Sequence, residues 1–216
     1  MSSVEHSVRL VSVTPDMQHM ICYCARVSNP SNQENTKSEV KLMRYLAKNR
    51  HWSPFEMAHM TVEIVCERSI AAQILRHRSF SFQEFSARYA ETQNYIQPHF
   101  RMQDHTNRQS SLDTIPEQEQ QSMKEQSETA IKACFDLYNT LLKKGVAKEC
   151  ARMVLPMCTA TRIYMSGSIR SWIHYIQVRA SPDTQLEHQR IAYKIKAILL
   201  EQLPCLSEVL QLDSSS

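Results

Sequence analysis

Arg76-His77-Arg78-Ser79-Phe80-Ser81-Phe82-Gln83-Glu84-Phe85-Ser86-Ala87-Arg88-Tyr89 is the stretch on which the reading of this 216-residue chain turns. Cationic or titratable side chains stand together at Arg76, His77 and Arg78, and aromatics follow at Phe80, Phe82 and Phe85. Ser69 to Leu75, just upstream, has helical apolar spacing. The run therefore opens at a helix C-terminus, where cations meet the negative end of the macrodipole. Two guanidiniums buried without partners would cost several kcal/mol, and Glu84 is the only carboxylate within the run. The stretch reads as a place where a phosphorylated ligand supplies the missing anion. Two readings stand beside that one: a solvated basic triplet, and a single-stranded nucleic-acid surface of phosphate contacts and stacked bases.

Composition narrows the choice. A net charge of +3 is too mild for an obligate nucleic-acid coat. No run approaches the roughly 18 apolar residues of a membrane span, and Met1 to Val13 lacks a basic segment followed by a long apolar one. A soluble, intracellular, cytoplasmic chain is expected, forming a single domain over residues 1–216 with no membrane partner. Its seven cysteines have no CxxC spacing and read as reduced core thiols. No metal is expected, because His51, His59, His77 and His174 lack HExxH spacing. Glycine occurs only at 145 and 167, so no glycine-rich phosphate loop can form. Any phosphate must be gripped by side chains, chiefly arginine forks, or by bare helix termini.

Along the chain, Val8 to Val13 reads as a strand and Met17 to Val27 as a helix broken at Ser28-Asn29-Pro30. Thr36 or Ser38 caps a helix to about Asn49 with Val40, Met43 and Ala47 on one face and Leu42 and Leu46 beside it. His51-Trp52-Ser53-Pro54-Phe55-Glu56 is an abrupt break, because Pro54 pushes Ser53 out of helical space. It gathers an imidazole, a hydroxyl and a carboxylate on one turn. An ordinary capped helix start is the plain alternative. Met60, Val62, Ile64 and Cys66 then alternate as a half-buried strand. Gln103 to Glu128 is polar and reads as exposed loop entering a helix, which ends at Gly145. Val146 to Leu155 reads as helix, Thr159 to Ser166 as strand, and Ser168 caps a helix to Arg179. The last helix carries Ile191, Ile195, Ile198 and Gln202 on one stripe before a polar tail at Asp213–Ser216.

Arg76-His77-Arg78, seven residues and then Ser86 is similar to the RHR-x7-S signature of flavin-dependent thymidylate synthases. The likeness extends in order through His51–Glu56 (HWSPFE), Gly145–Pro156 (GVAKECARMVLP), Arg170–Arg179 (RSWIHYIQVR) and Gln185–Gln189 (QLEHQ), spanning roughly residues 20 to 200. The resemblance implies an α+β fold, a small antiparallel sheet surrounded by helices, assembled as a homotetramer with sites at subunit interfaces. It implies methylation of dUMP to dTMP with 5,10-methylenetetrahydrofolate as carbon donor and NADPH as reductant through bound FAD. Nucleic acid is then not a partner.

Residue by residue, the resemblance assigns FAD to Ser53, Arg76, His77, Arg78, Glu84, Ser168, Arg170 and His174, with His51 beside the flavin ring. It assigns dUMP to Gln73, Arg76, Glu84, Phe85, Ser86, Ala87, Arg88, Arg152 and Arg179, with Tyr89 near the nucleotide. Arg179 matches the family arginine that polarises the pyrimidine. The chemistry agrees, since charge developing along N3–C4=O calls for a preorganised cation. The resemblance also implies that reduced flavin supplies hydride, so no cysteine nucleophile is required. Ser86 is disfavoured as a nucleophile because no adjacent base is apparent. Met57, Gln83, Ser168 and His174 depart from the family pattern.

Overall fold

Alternation in His59–Glu67 is the simplest determinant of the architecture: Met60, Val62, Ile64 and Cys66 are all fully buried, as a two-residue period on one core-facing surface requires. The computed structural model describes residues 1–210; the polar tail read at Asp213–Ser216 lies outside the described residues. The elements are β1 (Ser2–Val4), β2 (Ser7–Val13), α1 (Met17–Ala25), α2 (Glu39–Lys48), β3 (His59–Glu67), α3 (Arg68–Ile74), β4 (Ser81–Glu84) and β5 (Asn94–Ile96). They continue with β6 (Met102–Gln103), β7 (Ser111–Leu112), α4 (Glu117–Lys143), α5 (Lys148–Ala151), β8 (Ala160–Ser168), α6 (Ile169–Arg179) and α7 (Leu186–Gln202). The chain is α+β with a small antiparallel sheet. Among the described residues no helix is long and apolar enough to cross a membrane.

The chain groups into two compact units. The first comprises Met1–His6, Val65–Arg76 and Glu84–Ile163. In it β1 pairs in parallel with β5, Ser2 opposite Asn94 and Val4 opposite Ile96. Tyr95, Ile131 and Phe135 form its buried cluster, with Leu155 and Cys158 packed against them. The long α4 stops at Gly145, whose φ of 81° is the left-handed conformation that glycine adopts freely. Gly145 N–H donates to Leu142 O at 2.9 Å and Val146 N–H to Leu141 O at 3.0 Å, the paired closure of a Schellman motif.

The second unit comprises Ser7–Ile64, His77–Gln83 and the chain from Tyr164 onward. Its strands follow the sheet order β2-β3-β8-β4. α7 packs on β2 and on α6, and α1 packs on α2. β8 passes into α6 with no loop. Ser168 closes the strand with φ −67° and ψ 157°, and its hydroxyl accepts from the Ser171 N–H, as an N-cap should. Trp172, fully buried, donates its indole N–H to Met60 O at 2.9 Å and fixes the helix to the sheet.

Several sequence expectations are corrected here. Val40 is exposed, and the buried face of α2 is Glu39, Met43, Leu46 and Ala47. Glu39 is buried because Gln18 and His19 hydrogen-bond its carboxylate, at 3.1 and 2.8 Å. Ser38 does occupy the N-cap, but its hydroxyl accepts from Arg26 at 3.0 Å instead of capping. The polar stretch after Gln103 contains half of a small hairpin, β6 against β7, before α4 begins. Val146 to Leu155 is not one helix but the single turn of α5 followed by a 3-10 turn, Arg152–Val154. Cys150 is exposed and Cys24, Cys134 and Cys158 are only partly buried; all seven cysteines are free thiols.

Candidate active site

The residues singled out from sequence divide between the two units. Gln73, Arg76, Glu84, Phe85, Ser86, Ala87, Arg88 and Arg152 fall in the first. His51, Ser53, His77, Arg78, Ser168, Arg170, His174 and Arg179 fall in the second.

In the first unit the chain after β4 turns sharply. Ser86 O accepts from Tyr89 N–H at 3.1 Å, and Ser86 Oγ accepts from Arg88 N–H at 3.4 Å. That engagement fits a turn former, and no base hydrogen-bonds the Ser86 hydroxyl among the described residues. Glu84 accepts from Thr161 Oγ1 at 2.9 Å, with Arg68 at 3.9 Å. Phe85 N–H donates to Arg162 O at 2.8 Å, so the backbone of the run is pinned to β8. Arg88 pairs with Glu149 at 3.1 Å, its guanidinium 5.8 Å from the Tyr89 ring centroid. Arg152 Nε donates to the backbone carbonyl of the same Glu149 at 3.4 Å. Both partners of the Arg88–Glu149 pair are about half exposed, so their attraction is screened. An arriving anion can exchange with such a carboxylate at little loss.

In the second unit, Arg170 and His174 stand one turn apart on α6 and are both exposed. With Trp52, Glu56, Ser79 and Gln177 they line a cleft of about 450 Å³. Arg170 pairs with Glu56. A second hollow of about 370 Å³ shares Glu56, Ser79 and Ser171 and adds Ser81, Ser166 and Ser168. Hydroxyls, an imidazole, a guanidinium and the Trp52 indole thus line a groove made of two hollows that share Glu56, Ser79 and Ser171. His51 is exposed beside it in sequence, packed edge-on to Tyr45 at 5.9 Å. Ser53 opens the 3-10 turn Ser53–Glu56, so the break at Pro54 is a short turn and not the start of an α-helix. Arg78 is exposed and makes no hydrogen bond or ion pair among the described residues.

Below the groove lies an aromatic cluster. Phe80 packs on Trp172 at 4.6 Å and on Tyr175 at 5.9 Å, which removes it from any role in stacking bases. His77 sits 4.9 Å from Tyr175 and accepts from Arg179 Nε at 2.9 Å. Burial first, then the charges of Arg179 and His174, push the His77 pKa down to about 4. Fully buried His188 hydrogen-bonds Tyr175 Oη at 3.0 Å, and burial, Arg179 and His77 push it down to about 3. Both imidazoles are neutral near pH 7.

Sequence reasoning missed Tyr175, His188, Glu149 and the serines at 79 and 171. His188 did carry a signal: it precedes Ile191, Ala192, Ile195 and Leu199 at helical spacing, and all five are buried. Tyr175 lies between Trp172 and Arg179 on one arc of α6, so the buried face leads directly to the candidate catalytic arginine. Among the described residues no group of three or more His, Cys, Asp or Glu could hold a metal.

With this geometry in hand, the likeness to known proteins is informative. The chain matches the family model Thy1, thymidylate synthase complementing protein, over residues 9–205. It is 49% identical over 212 residues to a probable flavin-dependent thymidylate synthase of Paramecium bursaria Chlorella virus 1, covering 94% of this chain and 98% of that relative. It is 47% identical over 192 residues to a flavin-dependent thymidylate synthase of a Synechocystis species, covering 89% and 88%. Among solved structures it resembles the UMP/dUMP methylase PolB from Streptomyces cacaoi bound with 5-Br dUMP, with a TM-score of 0.86 at 26% identity over 97% of this chain and 96% of that one.

Proposed function

Because the chain belongs to the Thy1 family of thymidylate synthase complementing proteins, we propose that it is a flavin-dependent thymidylate synthase that methylates dUMP to dTMP. The match runs through both units without a break, which supports a single catalytic domain over residues 1–216. The observation that carries the reading is the state of Arg179. Its Nε is fixed on His77, while its terminal nitrogens make no hydrogen bond among the described residues. A rigid guanidinium with unengaged donors is suited to stabilising charge as it develops on a pyrimidine carbonyl.

FAD fits the serine-lined groove by donor chemistry. Ser79, Ser81, Ser168 and Ser171 offer hydroxyls, and Arg170 with His174 offers the N–H donors that a pyrophosphate accepts. Arg78 adds a cation with no ion-pair partner among the described residues, and Ser53 the hydroxyl of the neighbouring turn. Bound FAD, once reduced by NADPH, would supply the hydride that reduces the transferred carbon. Arg170 is held ready by Glu56, and Ser168 is fixed in place by its capping bond. Gln73, Arg76, Ser86, Arg88 and Arg152 are assigned to dUMP, Arg88 and Arg152 as the phosphate-side cations. NADPH and 5,10-methylenetetrahydrofolate are the co-substrates, and a homotetramer with sites at its subunit interfaces is the working assembly. Seven unpaired thiols suit a reducing, cytoplasmic setting.

The deciding experiment is dTMP formation from dUMP with NADPH, methylenetetrahydrofolate and FAD, each withheld in turn. Product should require dUMP, NADPH and methylenetetrahydrofolate, and added FAD once the bound flavin has been stripped; the protein as purified should be yellow, absorbing near about 450 nm. Colourless protein that forms no dTMP in the complete mixture would sink the assignment.

A further inference from the structure

A guanidinium can only donate hydrogen bonds, so the 2.9 Å contact from Arg179 Nε to His77 Nε2 requires that nitrogen to carry a lone pair. His77 is therefore the neutral tautomer with its proton on Nδ1. The ring is enclosed by Tyr175 at 4.9 Å, His188 at 6.3 Å and Phe80 at 6.5 Å. The titratable groups that face it are Arg179, His174 and Tyr175 from α6 and His188 from α7. Tyr175 and His188 are fully buried and hydrogen-bonded to each other, so two of the three walls of the box cannot shift without disturbing the core. Guanidinium recognition is directional: a fork needs two parallel N–H groups on one edge. Engaging Nε removes the edge that Nε shares with a terminal nitrogen. The Nη1–Nη2 end then remains.

We propose that His77 is a positioning residue for Arg179, anchoring Nε so that the terminal Nη1–Nη2 edge is the one presented to the pyrimidine. This rests on the function proposed above. The Tyr175–His188 pair is the support that keeps the imidazole in the required orientation.

The test is a double-mutant cycle on the dUMP dissociation constant, measured by titration with FAD in excess. His77→Leu should weaken dUMP binding about tenfold, whereas His77→Gln, whose amide oxygen can accept the same hydrogen bond, should weaken it less than about threefold. In an Arg179→Ala background, His77→Leu should add nothing further. Equal losses from His77→Leu in both backgrounds, or no benefit of glutamine over leucine, overturn the proposal. If the parent protein binds no dUMP, the functional reading itself has failed. The nitrogen NMR spectrum of ¹⁵N-histidine-labelled protein then decides the anchor by itself. A lone pair on His77 Nε2 and a His77 pKa that rises in Arg179→Ala sustain it, and an Nε2–H tautomer refutes it.

Discussion

A β-carbon at Gly167 would sit 2.4 Å from Cδ1 of Phe80, so the space left by the glycine's absent side chain is filled by the phenyl ring. Phe80 reaches from the signature run into the aromatic layer of α6, and Gly167, one residue before the capping serine, lets it lie there. The position needs small size and not an unusual backbone, which separates it from Gly145.

Gly167→Ala should therefore destabilise the protein by about 1–3 kcal/mol, because a closely packed ring must move. At a position with ordinary φ the same change would otherwise be mildly stabilising. Urea denaturation of Gly167→Ala alone and with Phe80→Leu checks the mechanism. A partial recovery in the double variant is expected; additive losses would disprove the contact as the cause.

Arg179→Ala should lower dTMP formation by at least about 10²–10³-fold, the scale for losing one preorganised donor at a developing charge. Flavin should remain bound, since the serine-lined groove is intact. Turnover and flavin absorbance on the same preparation test both halves, and retained turnover would remove Arg179 from its assigned role.

Arg78→Ala should reduce flavin retention through gel filtration while leaving the unfolding midpoint nearly unchanged. Arg78 is exposed and makes no hydrogen bond among the described residues, and substitutions at such sites usually change stability by less than about 0.5 kcal/mol. A variant that keeps its full complement of flavin contradicts the assignment.

Stability should fall as pH is lowered from about 6.5 toward 4. His77 and His188 are depressed in the folded state, to about 4 and about 3, while an unfolded histidine titrates near about 6.5. Between those values the unfolded chain binds more protons, so the free energy of unfolding rises with pH. The contribution is fully present above 6.5 and is lost on acidification. Urea midpoints at pH 7, 6 and 5 measure it, and His188→Leu should flatten the dependence. An unchanged midpoint across that range would mean that the imidazoles are not held neutral.

Much of this was legible wherever a period and a punctuation mark coincided. Met60, Val62, Ile64 and Cys66 alternate and are buried; Ser168 caps α6; Gly145 closes α4. The signature run also pointed to the family that the comparisons show. What stayed hidden depended on partners distant in sequence. Val40 follows the helical period of α2, yet it is exposed and Glu39 is buried, drawn inward by Gln18 and His19. The β6–β7 hairpin joins a two-residue strand in a polar stretch to another, too short to impose a pattern. Cys150 falls in a single helical turn whose exposed side no periodicity could identify. Tyr175 and His188 are ordinary core residues until the hydrogen bond between them is seen.

The direct passage of β8 into α6 has a mechanical consequence. With no connecting loop, any change in φ and ψ at the root of the helix must fall on Ser168 and Ile169, which the capping bond and burial hold. Arg170, His174 and Arg179 are mounted on a cantilever welded to the sheet. Fitting a ligand then falls to rotamer choice and to where the ligand settles, because the beam that carries these side chains has no loop on which to swing.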